Sequence, residues 1–278
     1  MNQALKREFE FNKRDFRFIA DLVHRKTGIV LAEHKEDMVY ARIARRLRNL
    51  KLTAFSDYCG LLESELGHEE MGNFVNAITT NLTSFFRESH HFQHLRDTVL
   101  KPLMTSSARD RKIRLWSAAC SSGAEPYSMA MVCLDAIPDI AKWDFKILAT
   151  DIDTGMLKKS QEGEYQESDV EHLPACYKKF IEPGSKPDTI RMSDALKKLI
   201  SFKPLNLIEP WPFKGTFDAV FCRNVVIYFN KETQKVLFAQ MARHVPDKGW
   251  LYIGHSETLH GISDAFELKG KTIYQRVS

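Results

Sequence analysis

Over roughly the first 85 positions apolar residues recur at helical spacing, whereas from Ile113 onward short apolar runs alternate with helical stretches. Phe16, Ile19, Ala20 and Val23 share one helical face, as do Met38, Ile43, Leu47 and Leu50. That period is the signature of amphipathic helices packed on a common core. Lys26-Thr27-Gly28 reads as the stop of the first helix, with Gly28 supplying the left-handed conformation that a C-terminal cap favours. Residues 55–65 and 69–80 predict two more short helices, separated at Gly67. The expected organisation is a helical N-terminal domain over 1–85, a linker over 86–112 whose polar, basic end (106–112) precedes the first strand, and a second domain over 113–278.

In that second domain IRLW (113–116) opens through the small-residue loop SAACSSG into a helix starting at Glu125-Pro126. FKILATD (145–151), FDAVFCRN (217–224) and WLYIGHS (250–256) read as further strands, with helices after Asp151 and from about 231 to 244. Between about 163 and 203 the alternation breaks among Pro174, Pro183, Gly184, Pro187 and many charges, which predicts an inserted subdomain. Residues 266–277 suggest a closing hairpin around Lys269-Gly270. The fold class is therefore α/β, a mostly parallel sheet with an antiparallel edge.

Composition narrows this little. The chain of 278 residues is 44% hydrophobic and 27% charged, ordinary for a globular protein. No apolar run approaches the ~18 residues of a membrane span, and the charged N-terminus does not suit a secretory signal. Cys59, Cys120, Cys133, Cys176 and Cys222 are scattered without C-x-x-C spacing, so neither a disulfide framework nor a metal site is expected, and a reducing cytoplasm fits. A net charge of +4 makes no general case for nucleic acid.

The candidate chemistry lies at the ends of the strands. Small residues after a first strand and an acid at the end of the second are how a doubly wound sheet presents a nucleotide-like cofactor. Here the acid is Asp151, a candidate acceptor for ribose hydroxyls and otherwise a helix cap, although Asp153 or Thr154 could cap instead. The loop carries a single glycine, Gly123, so the G-x-G-x-x-G pattern that cradles a diphosphate is missing. Glu125 could meet a cofactor amino group or simply favour the helix dipole. In TTNLTSFFRESHHF (79–92), Asn81 and Thr83 are capping types, and Arg87 beside Phe85-Phe86 suits gripping a carboxylate. His90 and His91 are adjacent in a helix, do not face one another, and read as ordinary helix residues. Arg223-Asn224 leave a strand at the ligand-binding edge, with Tyr228 on the following turn. Arg42, Arg45, Arg46 and Arg48 form a helical run uninterrupted by acid, which favours an acidic partner over a plain solvated face.

Taken in order, TTNLTSFFRE, SAACSSGAEPYS, ATDID, FCRNVVIYF and GHSE resemble the chemotaxis protein methyltransferases, which methylate chemoreceptor glutamates with S-adenosylmethionine. The resemblance implies a class I S-adenosylmethionine-dependent methyltransferase domain, an all-α N-terminal domain and a small inserted β-subdomain. It implies a cofactor pocket lined by Asn81, Thr83, Arg87, Glu125, Asp151, Asn206, Leu207, Arg223 and Asn224, with S-adenosylhomocysteine as product. It also matches the arginine helix (Arg42, Arg45, Arg46, Arg48) to a surface facing the helical bundle of methyl-accepting receptors. A monomeric cytoplasmic enzyme of sensory adaptation, without nucleic-acid partner or membrane insertion, is the expected form.

A glutamate carboxylate is already ionised near pH 7, so esterification needs no general base. Arg87 is expected to orient the acceptor carboxylate and Tyr228 to fix its approach, these two being the candidate catalytic residues. Rival readings are a methyltransferase for nucleic acid or a small molecule, since the fold hosts many substrates, and a non-catalytic module that binds the methyl donor. Where nucleic-acid amino methylases often carry an N-P-P-Y-type turn, this chain reads RNVVIY.

Overall fold

The computed structural model describes residues 7–105 and 111–277. The chain divides into two compact units, one running to Thr80 and including Tyr228–Asn230, the other comprising Asn81–Ile227 and the chain from Lys231 onward.

The first unit is helical: α1 (Lys13–Thr27), α2 (Glu36–Leu50), α3 (Phe55–Glu63) and α4 (Gly67–Ile78). A capping box starts α1: the Asn12 side chain accepts from the Arg14 and Asp15 amides, and Asp15 accepts in return from the Asn12 amide. Gly28 ends it at φ 76°, the left-handed cap expected from the sequence. Ile19, Ile43, Leu47, Tyr58 and Phe74 are fully buried, so the predicted faces meet in a core at Ile19, Ile43 and Leu47, whereas Met38 is half-buried and Leu50, at the end of α2, is 36% exposed. Gly67 opens α4 instead of lying between helices. Within the same unit the Val30 amide donates to the Tyr228 carbonyl at 2.8 Å, and Ile29 pairs with Phe229 in a single antiparallel bridge.

The second unit begins earlier than expected. Of residues 86–112, read as a linker, His90 to Thr105 are helical: α5 (His90–His94) passes through the wider turns of Leu95–Leu100 into α6 (Lys101–Thr105). Phe92, Leu95, Val99 and Leu100 bury this helix against the larger core. Most of the expected loop at 106–112 lies outside the described residues.

Strands β1 (Lys112–Ser117) and β2 (Asp144–Asp151) are joined by α7 (Ala124–Ala136), and α8 (Thr154–Glu162) follows β2. The insertion is a small antiparallel sheet of β3 (Glu164–Gln166), β4 (Ile181–Pro183) and β5 (Thr189–Met192), with β5 central. After α9 (Asp194–Leu199), β6 (Ile200–Pro204) returns to the main sheet, so the last residues of the expected insertion belong to the main fold. β7 (Ala219–Phe221), α10 (Lys231–Ala242), β8 (Trp250–Tyr252) and the hairpin β9 (Phe266–Gly270)–β10 (Ile273–Arg276) complete the chain.

The main sheet has the order β6-β2-β1-β7-β8-β10-β9. Its first five strands are mutually parallel, and β10 runs antiparallel to both neighbours. Ser117 of β1 pairs with Ala149 of β2 and Phe221 of β7, while Asp151 pairs with Pro204 of β6. The carboxyl ends of these strands therefore finish along one edge. From β1 the chain moves to β2 on one side and later to β7 on the other, which makes that edge the crevice where open α/β sheets bind ligands.

Candidate active site

The loop after β1 is strapped to both neighbouring strands. The Ala118 amide donates to the Phe221 carbonyl at 2.8 Å and the Cys120 amide to the Thr150 carbonyl at 2.9 Å. Its lone glycine is fixed by geometry: Gly123 sits at φ 93°, and a Cβ there would lie 2.8 Å from the Tyr165 hydroxyl and 3.0 Å from Ser160. Small residues at this position are a steric requirement of the fold as well as an opening for a ligand.

Asp153 caps α8 by accepting the Met156 amide at 3.0 Å, which leaves Asp151 free of that duty. The Asp151 carboxylate accepts the Ser121 amide at 2.7 Å on one oxygen and the Asp153 amide at 2.9 Å on the other. The Ile152 amide also bonds this carboxylate, and since a carboxylate offers about four acceptor sites, three amides leave it capacity for a further donor. Burial pushes the Asp151 carboxyl up to about 6, against the pull of the Asp153, Ser121 and Ile152 amides. Asn81 joins this corner: its side-chain amide donates to Asp153 at 2.7 Å, and its carbonyl accepts from the Ser121 hydroxyl at 2.9 Å. On the β6 side the Leu205 amide donates to the Asp151 carbonyl at 3.0 Å. The next residue, Asn206, folds a turn through Glu209 and the Ile208 amide, and Leu207 is buried. Thr83 is half-buried in the segment that follows Asn81.

A second corner is built on a buried cation. Arg223 follows β7, and only 2% of its side chain is exposed. One of its terminal nitrogens lies 2.8 Å from the Glu125 carboxylate. The other lies 3.3 Å from Glu88 and donates to the main-chain carbonyl of Arg87. The remaining Glu125 oxygen accepts from the Ser117 hydroxyl at 2.7 Å. Burial raises the Glu125 carboxyl, while Arg223 and Ser117 oppose the rise. For Glu88 burial acts in the same direction, yet the His255 hydrogen bond and the Arg223 charge outweigh it and hold that carboxyl well below its usual range. Phe86 and Glu88 both have left-handed backbones, at φ 52° and 57°. Phe86 stacks on Tyr177 and Phe85 meets Tyr165 edge-on, contacts that hold this strained segment in place. Arg87 itself is half-buried and donates to the Leu82 carbonyl at 3.1 Å.

The larger unit thus gathers Asn81, Glu125, Asp151, Asn206, Leu207, Arg223 and Asn224 along the carboxyl edge of its parallel strands, with Arg87 beside them in the chain. Arg223 reaches inward to protein carboxylates, a partnership that β-strand spacing did not reveal. Glu88 was missed altogether, although its place directly after Arg87 was a usable signal. Tyr228 groups instead with the helical unit. His91 is fully buried, its Nε2 lying against the Lys271 carbonyl, and burial together with Arg223 pushes its protonation down.

The arginine helix also differs from a free cationic stripe. Arg42 donates to the carbonyls of Ile78 and Thr79 and to the Thr80 hydroxyl, closing the end of α4. Burial lowers its hold on its proton, and the Tyr228 phenol pulls the other way. Arg46 makes a two-pronged pair with buried Glu70, and Arg48 pairs with Glu8. Arg45 is exposed and has no side-chain hydrogen bond among the described residues.

Comparison with known proteins accounts for both units. Residues 81–275 match the family described as CheR methyltransferase, SAM binding domain, and residues 14–79 match CheR methyltransferase, all-alpha domain. A probable chemotaxis protein methyltransferase of Rhizobium etli is 43% identical over 258 residues, covering 91% of this chain and 96% of that protein. Chemotaxis protein methyltransferase 2 of Pseudomonas aeruginosa is 41% identical, covering 96% of this chain and 94% of its own length. The Escherichia coli chemotaxis protein methyltransferase is 42% identical, covering 93% of this chain and 89% of its own.

Replacing Arg223 by Met should strand two buried carboxylates. Unfolding by urea at pH 7 should show a loss of about 3–5 kcal/mol. The sign of its pH dependence follows from Glu125. An acid whose folded pKa lies above its unfolded value near ~4.3 keeps full stability below that value and loses it as pH rises through the folded pKa. The deficit should therefore be largest near neutrality and shrink toward pH 5; a small, pH-independent deficit would contradict the pairing.

Proposed function

The chain belongs to the CheR methyltransferase family, and from that premise we propose how its residues methylate chemoreceptor glutamates. It is an S-adenosylmethionine-dependent methyltransferase of bacterial chemotaxis. Among the described residues no helix is long and apolar enough to cross a membrane. The proposed form is a cytoplasmic monomer that works on the helical bundle of a methyl-accepting receptor. The observation that carries this reading is the match of both units, in order, to one family.

The residues at the sheet edge fit the methyl donor. Its ribose diol suits the spare acceptor capacity of Asp151, its amino group suits Glu125, and its adenine suits the turn at Asn206-Leu207 and Asn224. Small loop residues let a nucleoside approach the backbone, and a lone Gly123 is consistent with a cofactor that has no diphosphate. When bound, S-adenosylmethionine supplies a methyl group activated by its sulfonium. The acceptor is a carboxylate already ionised near pH 7, so no residue need remove a proton. The work left to the protein is orientation and exclusion of water.

Arg87 is proposed to hold one oxygen of the acceptor carboxylate and leave the other free to attack, because a clamp on both would weaken the nucleophile. Arg223 is proposed to keep Arg87 in place through its main chain and to hold Glu125 ionised. Tyr228, the other proposed catalytic residue, would fix the approach of the acceptor. Within the arginine helix, Arg45 is the cation best placed to meet an acidic receptor surface, since Arg42, Arg46 and Arg48 have partners in the protein.

Transfer of a labelled methyl group to receptor-containing membranes should give a base-labile label, the mark of a carboxyl methyl ester; label on RNA, or none, would refute the reading. Arg87→Ala should lower kcat by about a hundredfold at saturating receptor and cofactor, in line with loss of an orienting contact. Full turnover in that variant would exclude the role.

Arg45→Glu should slow receptor methylation while leaving S-adenosylmethionine affinity unchanged. The wild-type rate should also fall as salt is raised from about 0.05 to 0.3 M. Unchanged receptor kinetics would return the helix to an ordinary solvated surface.

A further inference from the structure

The Gly254-His255-Ser256-Glu257 turn after β8 has no role in the chemistry described so far, yet it touches both segments that build the second corner. Glu257 is buried and accepts four main-chain N–H groups. One of its oxygens takes the amides of Val226 (2.9 Å) and Ile227 (3.3 Å), and the other takes those of Asn224 (2.9 Å) and Gly254. Three of these donors belong to the single turn that follows Arg223. Without an acceptor on that side the buried Val226 amide would be unpaired, which main-chain amides rarely are, and the partly buried Asn224 and Ile227 amides would lose the same partner.

We infer that Glu257 is a positioning residue for the methyl-donor pocket, its carboxylate holding the turn after β7 in the one shape that presents Asn224 to the ligand edge. The inference rests on the pocket assignment proposed above. Asn224 has a left-handed backbone at φ 58°, a conformation that asparagine adopts more readily than other non-glycine residues but still at a cost relative to glycine. Two features of the same turn support it. Glu257 binds the Asn224 amide, and Gly254 leaves room for the Asn224 side chain: a Cβ on Gly254 would lie 2.3 Å from the Asn224 side-chain nitrogen. On its other flank, His255 places its main-chain amide 3.2 Å and its Nδ1 2.9 Å from Glu88, the acid that meets Arg223. One short turn therefore clasps the Arg223-Asn224 segment directly and the Arg87-Glu88 segment through Glu88.

The chemistry explains why a carboxylate stands there. Only an ionised carboxylate offers four acceptor sites at one point. A glutamine of the same shape would turn its NH2 group toward two main-chain donors in either orientation, and the turn would have to open. Gly254→Ala perturbs the same clasp from the opposite side by pushing on the Asn224 amide, and it leaves every acceptor of Glu257 intact.

The test is isothermal titration of S-adenosylmethionine into the full chain, comparing wild type with Glu257→Gln, Gly254→Ala and the surface control Glu267→Gln, whose carboxylate is exposed and pairs only with Lys269 among the described contacts. Glu257→Gln and Gly254→Ala should each weaken binding by about tenfold or more, the scale of losing buried polar contacts, with unchanged stoichiometry, and Glu267→Gln should bind as wild type. Stoichiometry separates positioning from folding, because a misfolded fraction lowers the number of sites and leaves the affinity of the rest untouched. Wild-type affinity in a folded clasp variant at full stoichiometry overturns the inference. If Glu257→Gln does not fold, Gly254→Ala decides. A wild-type chain that binds no S-adenosylmethionine overturns the pocket assignment itself, which is a distinct result.

Discussion

Arg223 is the point on which the second unit's chemistry turns. A guanidinium with 2% of its side chain exposed is tolerable only if its charge and donors are met inside the protein. Here the charge is met by Glu125 at the start of α7 and by Glu88, and the two terminal nitrogens donate to Glu125 and to the carbonyl of Arg87, while Nε stays buried without a hydrogen-bond partner among the described residues. The three partners come from segments 98 to 136 residues away from it in the chain. Folding therefore cannot satisfy Arg223 without also bringing the loop after β1, the residues before α5 and the end of β7 to one place.

The parallel strands supply the rest of the frame. Their register ends β6, β2, β1 and β7 at one edge, and the amides of the loop after β1 are tied to the carbonyls of both neighbours. Asp151 can then be an acid with spare acceptor capacity because Asp153 performs the capping. The cost of burying Asp151 shows in its raised pKa. The same logic, a buried acid fixed by main-chain amides, recurs at Glu257. Rigid strands carry the site, while the strained residues Phe86, Glu88, Ser121 and Asn224, all with left-handed backbones, lie in the loops that face it.

Much of this was legible in the sequence because it is local. The helical faces around Ile19 and Leu47, the cap at Gly28, the strand-and-helix alternation and the closing hairpin all follow from spacing within a few residues. The insertion announced itself by its prolines, although its end had to be read from the sheet, where Ile200–Pro204 pairs with β2. His90 and His91 already read as helix residues, but the continuation of that helix to Thr105 was not expected in the linker, although Phe92, Leu95 and Val99 carry a helical period that points to it. Ion pairing was the part that local pattern could not supply. The run from Arg42 to Arg48 contains no acid, but Glu70 and Glu8 reach it from other segments. Nothing in the spacing of Glu88 and Glu257 links them to the residues they hold.

The central claim is that the loop after β1, with Asp151 and the Arg223-held Glu125, receives the methyl donor. A crystal structure of the chain with S-adenosylhomocysteine tests it most directly. The account predicts the nucleoside against residues 117–123, with its ribose hydroxyls within hydrogen-bond distance of the Asp151 carboxylate and Arg223 still between Glu125 and Glu88. A nucleoside bound elsewhere, or one that leaves Asp151 untouched, would contradict it.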